Sequence, residues 1–286
     1  MEPSAIRLTE CPRDAMQGLV DFVPTDIKAA YINLLLQVGF DTMDFGSFVS
    51  AKAIPQMRDT AEVLKRLDLS NTSSKLLAIV ANFRGAVEAV LHPEITYLGY
   101  PFSISETFQM RNTNATIADS FDTVKRMNEI CTAKQKELLV YLSMGFGNPY
   151  GDEWNVEIVQ QWTEKLVNEG IKTIALSDTI GIATPDQIKS LYPSLCAQFP
   201  DTEFGIHLHS TPATWHEKVE AAYQSGCKRF DSALKGYGGC PMAKDDLTGN
   251  IATENLIGYL QSQNAITGLN MDKLWEAMDY SGTVFG

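Results

Sequence analysis

Histidine is scarce in this chain, with four copies in 286 residues, yet three of them fall inside EFGIHLHSTPATWHEK, residues 203–218. His207 and His209 flank a single leucine. Side chains two apart on a β-strand point to the same side, so a strand here would present two imidazoles on one face, with Leu208 turned away. Such a pair suits a divalent metal once a carboxylate or amide completes the shell. The blander reading, two satisfied core histidines, fits a lone histidine better than a pair at a strand end. His216, after TPAT, and His92, in an LHPE turn, read as surface residues. The oxygen ligand comes from TECPRDAMQG, residues 9–18, where Arg13 and Asp14 follow a strand-like run. Asp is a hard ligand for a cation, and the Arg guanidinium offers a rigid fork for a carboxylate or enolate oxygen.

These residues need a scaffold that aligns strand ends. Short β-rich runs recur at 6–10, 42–48, 75–81, 95–100, 137–144, 171–178, 204–210 and 228–234. Helical patterns such as 25–39 and 184–199 separate them, the latter with Thr184 as N-cap and Pro185 at the first helical position. Strand then helix, eight times over, is the signature of an α/β (β/α)8 TIM barrel, and the length suits a barrel of about 250 residues. An open doubly wound sheet is the competitor, but no GxGxxG follows the first strand. No linker or low-complexity tract interrupts the chain. The expectation is one catalytic barrel domain over 1–286, with the barrel at about 5–250 and flanking C-terminal helices at about 251–286. Chemistry in such barrels sits where strands end. The polar residues there are Arg13, Asp14, Asp44, Ser47, Asn82, Ser103, Ser143, Asp178, His207, His209 and Ser232.

Composition narrows the partners. With 44% hydrophobic and 20% charged residues, the chain has ample material for a globular core. A net charge of −12, from 23 basic and 35 acidic residues, disfavours nucleic acid and anionic membrane surfaces, which both need a basic face. An anionic small molecule is still compatible, through a locally basic pocket. No 18-residue apolar run marks a membrane span. MEPSAIRLTE leads directly into a strand-like segment without a basic and apolar leader. The five cysteines, at 11, 131, 196, 227 and 240, are scattered and show no CxxC spacing, a reduced-compartment pattern. The cytoplasm is the expected location.

Six segments occur in a telling order: CPRDAMQG (11–18), GSFVSAKAIPQM (46–57), LSDTIGIATP (176–185), GIHLH (205–209), GYGGCPMAK (236–244) and GNIATENL (249–256). Together they resemble the 3-hydroxy-3-methylglutaryl-CoA lyases, within the metal-dependent barrel superfamily of lyases and Claisen-condensing enzymes. The resemblance covers nearly the whole chain. It implies that Asp14, His207, His209 and Asn250 hold a divalent metal, Mg or Mn. It further implies that Arg13, Asp14, His207 and Cys240 are catalytic, with Arg13 stabilising the enolate of the departing acetyl-CoA. Cys240 matches the reactive cysteine of the family's glycine-rich loop, and Arg13, Gln17, Asp44 and Ser47 would contact substrate. An acyl-CoA substrate and a homodimer are implied as well. The implied reaction is metal-assisted retro-Claisen cleavage of 3-hydroxy-3-methylglutaryl-CoA to acetyl-CoA and acetoacetate, with His207 or Cys240 as the acid. Arg84, in ANFRGA, and Lys52 are cations expected near the mouth for coenzyme A.

Some positions depart from the lyase pattern. Thr9 stands where the typical lyase has Glu, with Glu10 beside it as a substitute; Ser210 replaces an Asp, Ala15 a Gly, and Lys235 a small residue. Met16 keeps the lyases' apolar character, where condensing synthases have Glu and a further C-terminal domain. The rival readings are a Claisen-type condensing enzyme or an aldolase acting on another acyl-CoA or hydroxy acid, and a barrel that binds a metabolite without turning it over.

Overall fold

In the computed structural model of the protein, residues 5–239, 248–266 and 268–286 are described. Eight parallel strands alternate with helices: β1 (Arg7–Glu10), β2 (Thr42–Ser47), β3 (Lys75–Ile79), β4 (Ile95–Ser103), β5 (Glu137–Ser143), β6 (Thr173–Asp178), β7 (Glu203–Ser210) and β8 (Arg229–Ser232). Each pairs with its sequence neighbours, and β8 pairs back onto β1, so the sheet closes into a barrel. All eight strands coincide with the β-rich runs. The one that extends furthest beyond its run is β4, which continues past Tyr100 through Pro101 to Ser103. There Pro101 stays in register with Tyr141, within an unbroken β4–β5 ladder.

The helices are α1 (Pro12–Met16), α2 (Thr25–Leu36), α3 (Thr60–Leu64), α4 (Phe83–Ala89), α5 (Glu106–Thr113), α6 (Ile117–Ala133), α7 (Val156–Asn168), α8 (Pro185–Gln198), α9 (Trp215–Gln224), α10 (Thr253–Ser262) and α11 (Met271–Phe285). Thr184 caps α8 as expected, accepting from the Gln187 N–H while the Gln187 side chain accepts from the Thr184 N–H. This reciprocal pairing satisfies two otherwise orphaned donors. α10 occupies the eighth helical position, with Leu256 buried in the same core cluster as Ile206, Leu208 and Phe230. α11 flanks the barrel, lying against α2.

Alternation along the strands builds two apolar layers. Residues such as Leu8, Leu98, Leu176 and Leu208 point outward into the core between sheet and helices. Leu77, Ile79, Tyr97, Leu139, Tyr141 and Ala175 fill the interior. The two-residue strand β9 (Gly249–Asn250) pairs antiparallel with the end of β7, setting Asn250 opposite His209. No helix of the described residues is long and apolar enough to cross a membrane.

Candidate active site

α1 begins one residue after β1, with Pro12 at its first position and all five residues buried. Pro has no N–H to lose there, and the short turn carries Arg13 and Asp14 over the C-terminal mouth of the barrel. The Arg13 fork is filled on two sides. Its Nε donates to Asp44 Oδ2 at 3.0 Å, and Nη1 donates to Asp14 Oδ1 at 2.9 Å and to Gln17 Oε1 at 3.0 Å. Gln17 Nε2 donates to Asp14 Oδ1 at 2.8 Å, and Asn250 Nδ2 donates to Asp14 Oδ2 at 2.7 Å and to the Tyr237 carbonyl at 2.9 Å. Gly238 makes this approach possible: at φ +93°, a Cβ on it would lie 2.8 Å from the Asp14 carbonyl oxygen.

His207 and His209 both face the pocket, with ring centroids 5.2 Å apart. Each ring is held through Nδ1: His207 by Asp231 Oδ2 at 3.2 Å, His209 by the Thr179 carbonyl at 3.0 Å. A carbonyl only accepts, so His209 Nδ1 carries the hydrogen and Nε2 is left as an acceptor. That Nε2 is buried and has no hydrogen-bond partner among the described residues, which calls for a ligand. An Asp14 carboxylate oxygen and one nitrogen from each imidazole lie within 4.8 Å of one another, so the three residues could hold a metal ion. Among the described residues a second such group is Cys11, His207 and Asp231.

The electrostatics keep Asp14 ionised and His209 neutral. Burial pushes the Asp14 carboxyl up, but Arg13 and the two histidines hold it down at about 2, as a carboxylate. Burial, then the neighbouring His207, lowers His209 to about 4, so its imidazole is neutral at pH 7. Burial also acts to lower His207, but the hydrogen bond and charge of Asp231 outweigh it and raise the imidazole. Burial raises Asp44 to about 6 against the opposing pull of Arg13.

The residues expected from sequence come together unevenly. Arg13, Asp14, Gln17, Ser47, His207 and His209 line one pocket, beside an apolar wall that includes Val49, Ile54, Ile79 and Phe108. Asp44, fully buried, stands behind Arg13 and orients it instead of facing the pocket. Asn250 also stands behind, on Asp14. Cys240 lies outside the described residues. Lys52 and Arg84 are exposed and absent from the pocket wall. His216 is exposed, whereas His92 is half-buried and stacks on Phe48 at 5.2 Å.

Strand parity corrects several strand-end readings. Thr9 and Asp231 are register partners and share a face. Glu10 points the other way, accepting from the Leu234 N–H and from Thr253 Oγ1, so it does not substitute for an acid at position 9. On β8 the residue that reaches His207 is Asp231 and not Ser232, which meets Thr253. Asn82 caps α4, and Asp178 is turned outward onto Lys218. Alternation along β8 sets Asp231 inward beside Thr9 and turns Ser232 outward. Thr179 was not detectable from sequence, because it acts through its backbone.

Fold and site together define a (β/α)8 barrel that gathers a carboxylate, two imidazoles and an arginine at its C-terminal mouth, the face where such barrels do chemistry. The chain belongs to the HMGL-like family, whose model matches residues 7–280. It is 32% identical to mouse mitochondrial hydroxymethylglutaryl-CoA lyase, over 97% of this chain and 85% of that protein. It is 33% identical to the hydroxymethylglutaryl-CoA lyase of Bacillus subtilis, over 96% of this chain and 91% of that one. Among solved structures, an HMG-CoA lyase from Acinetobacter baumannii in complex with coenzyme A and 3-methylmalate superposes with a TM-score of 0.91 at 31% identity. That match covers 99% of this chain and 92% of the other.

Proposed function

We propose that the protein is a carbon–carbon lyase that cleaves 3-hydroxy-3-methylglutaryl-CoA to acetyl-CoA and acetoacetate. The observation that carries this reading is the convergence of Asp14, His207 and His209, with the unpartnered His209 Nε2, beside Arg13 in a chain of this family. Asp14, His207 and His209, completed by Asn250, would hold a divalent metal, Mg or Mn, since one carboxylate, one amide and two imidazoles make an open donor set of oxygen and nitrogen without thiolate. When bound, such an ion supplies Lewis acidity toward substrate oxygens.

The remaining work falls to the chain. A base removes the proton of the tertiary hydroxyl, the C2–C3 bond breaks, and its electron pair passes into the thioester enolate. Arg13, held in place by Asp44 and Gln17, offsets the charge on the enolate oxygen. An acid then protonates C2 to complete acetyl-CoA. His207, held by Asp231, and Cys240 are the residues assigned to proton transfer, and Gln17 and Ser47 contact substrate. The catalytic unit is one domain over 1–286, acting as a homodimer on an acyl-CoA and with neither nucleic acid nor membrane as partner. The cytoplasm is the inferred compartment, in keeping with free thiols at Cys11, Cys131, Cys196 and Cys227.

A coupled assay for acetyl-CoA released from 3-hydroxy-3-methylglutaryl-CoA tests the reading. It is run with Mg or Mn, with EDTA, and on His209→Ala. The expected result is metal-dependent turnover that EDTA and the substitution abolish. Stoichiometric Mn binding without turnover would keep the site and overturn the substrate.

A further inference from the structure

We propose that Lys218 is a positioning residue for His209, fixing both the backbone and the ring orientation of this candidate metal ligand. The proposal rests on the reading of Asp14, His207 and His209 as the metal-binding set. Lys218 lies on α9 behind the end of β7, outside the pocket and 2% exposed. An ammonium has three hydrogens to donate, and all three are used here. Nζ donates to Asp178 Oδ2 at 2.7 Å, to the Gly181 carbonyl at 2.8 Å, and to the carbonyl of His209 itself at 2.8 Å.

The first two contacts fasten the turn after β6. Asp178 is 1% exposed, and its other oxygen accepts from the Ile182 N–H at 2.8 Å. The turn is therefore clamped from 178 to 182. Within it, Thr179 supplies the carbonyl that orients the His209 ring, while its hydroxyl accepts from the Met144 N–H at 2.9 Å. One buried cation thus reaches His209 twice, directly at its main-chain carbonyl and through the turn at Nδ1. A buried ion pair adds little net stability over an apolar pair of similar size, so its contribution here is geometric. Groups that orient a metal-ligating histidine in this way govern metal affinity.

Three proteins test this: wild type, Lys218→Met, and the double variant Lys218→Met with Asp178→Asn. The double variant removes both charges, so no ion is left unpaired in the core, and Asn keeps an acceptor for Ile182. Mn2+ affinity is read by electron paramagnetic resonance. The His209 tautomer is read by imidazole 15N NMR of the metal-free protein, and folding by circular dichroism. We expect a folded double variant in which His209 loses its single Nδ1–H tautomer and Mn2+ binds about 10–100-fold more weakly. A folded double variant with wild-type Mn2+ affinity and an unchanged tautomer would overturn the proposal. Failure of the wild type itself to bind Mn2+ would instead sink the metal reading. The tautomer comparison then decides the role of Lys218 by itself, since a purely structural anchor would leave it unmoved. Should Lys218→Met alone not fold, the double variant carries the same comparison.

Discussion

Arg13 touches three other side chains, Asp44 through Nε and both Asp14 and Gln17 through Nη1 of its planar fork. Lysine at this position would keep the charge but lose the fixed geometry. Arg13→Lys is therefore expected to lower kcat by about 10²–10³-fold, the usual cost of losing an oxyanion donor. Mn2+ binding should persist, because Asp14 and the histidines are untouched; loss of both together would place Arg13 in the metal site instead. The site's inner members were open to sequence reading because their types are uncommon and their spacing matches a strand. Its supports were less visible. Asp44 is legible as a strand-end acid but its role is not until Arg13 is seen against it, and the Thr179 carbonyl has no side-chain identity at all. Glu10 and Thr9 show how far one position matters: a single step along β1 exchanges the barrel interior for the layer beneath α10. Gln56, in the IPQM segment, anchors the loop before α2 by accepting from the Val23 N–H at 2.9 Å and donating to the Asp21 carbonyl at 2.8 Å. The same segment lines the pocket through Ile54 and holds the neighbouring loop through Gln56.

At the scale of elements, the strands were legible because each is a short β-rich run bounded by helical periodicity. β9 was not, since two residues carry no period. Yet β9 is the element that brings Asn250 across from His209. It has almost no room for change: a Cβ on Gly249 would come within 2.2 Å of the Gly236 carbonyl oxygen. Gly249→Ala should push β9 off β7 and weaken Mn2+ binding at least tenfold, with little change in melting temperature. Equal affinity in the variant would show that Asn250 does not depend on this bridge. The opposite pattern is expected for Thr184→Ala, which removes the reciprocal cap of α8. It should cost about 1 kcal/mol of stability in a denaturant titration and leave metal binding unaltered.

For the molecule as a whole, closure of the barrel runs through a buried acid. Glu10 on β1 accepts from the Leu234 N–H at 2.9 Å, just beyond β8, and from the hydroxyl of Thr253 at the start of α10. Burial raises this carboxyl from the usual 4.5 to about 8, against the lowering effect of those two bonds. The folded protein therefore keeps a proton that the unfolded chain releases at lower pH. Between about 4.5 and about 8 the native state binds more protons, so this contribution to stability declines as pH rises and is lost above that window. Urea midpoints measured at pH 5 and pH 8.5 should differ less in Glu10→Gln than in the wild type. Parallel behaviour of the two proteins would mean that the acid stays ionised in the fold.

Asp14 and Asn250, joined by one hydrogen bond, are 236 positions apart in the chain. During synthesis the first partner emerges from the ribosome long before the second, and His207 and His209 appear in between. A nascent chain that stalls before β9 can hold most of a barrel and still lack the contact on which Asp14 is seated. Completion of the site therefore waits for β9, long after Asp14 and both histidines have been made.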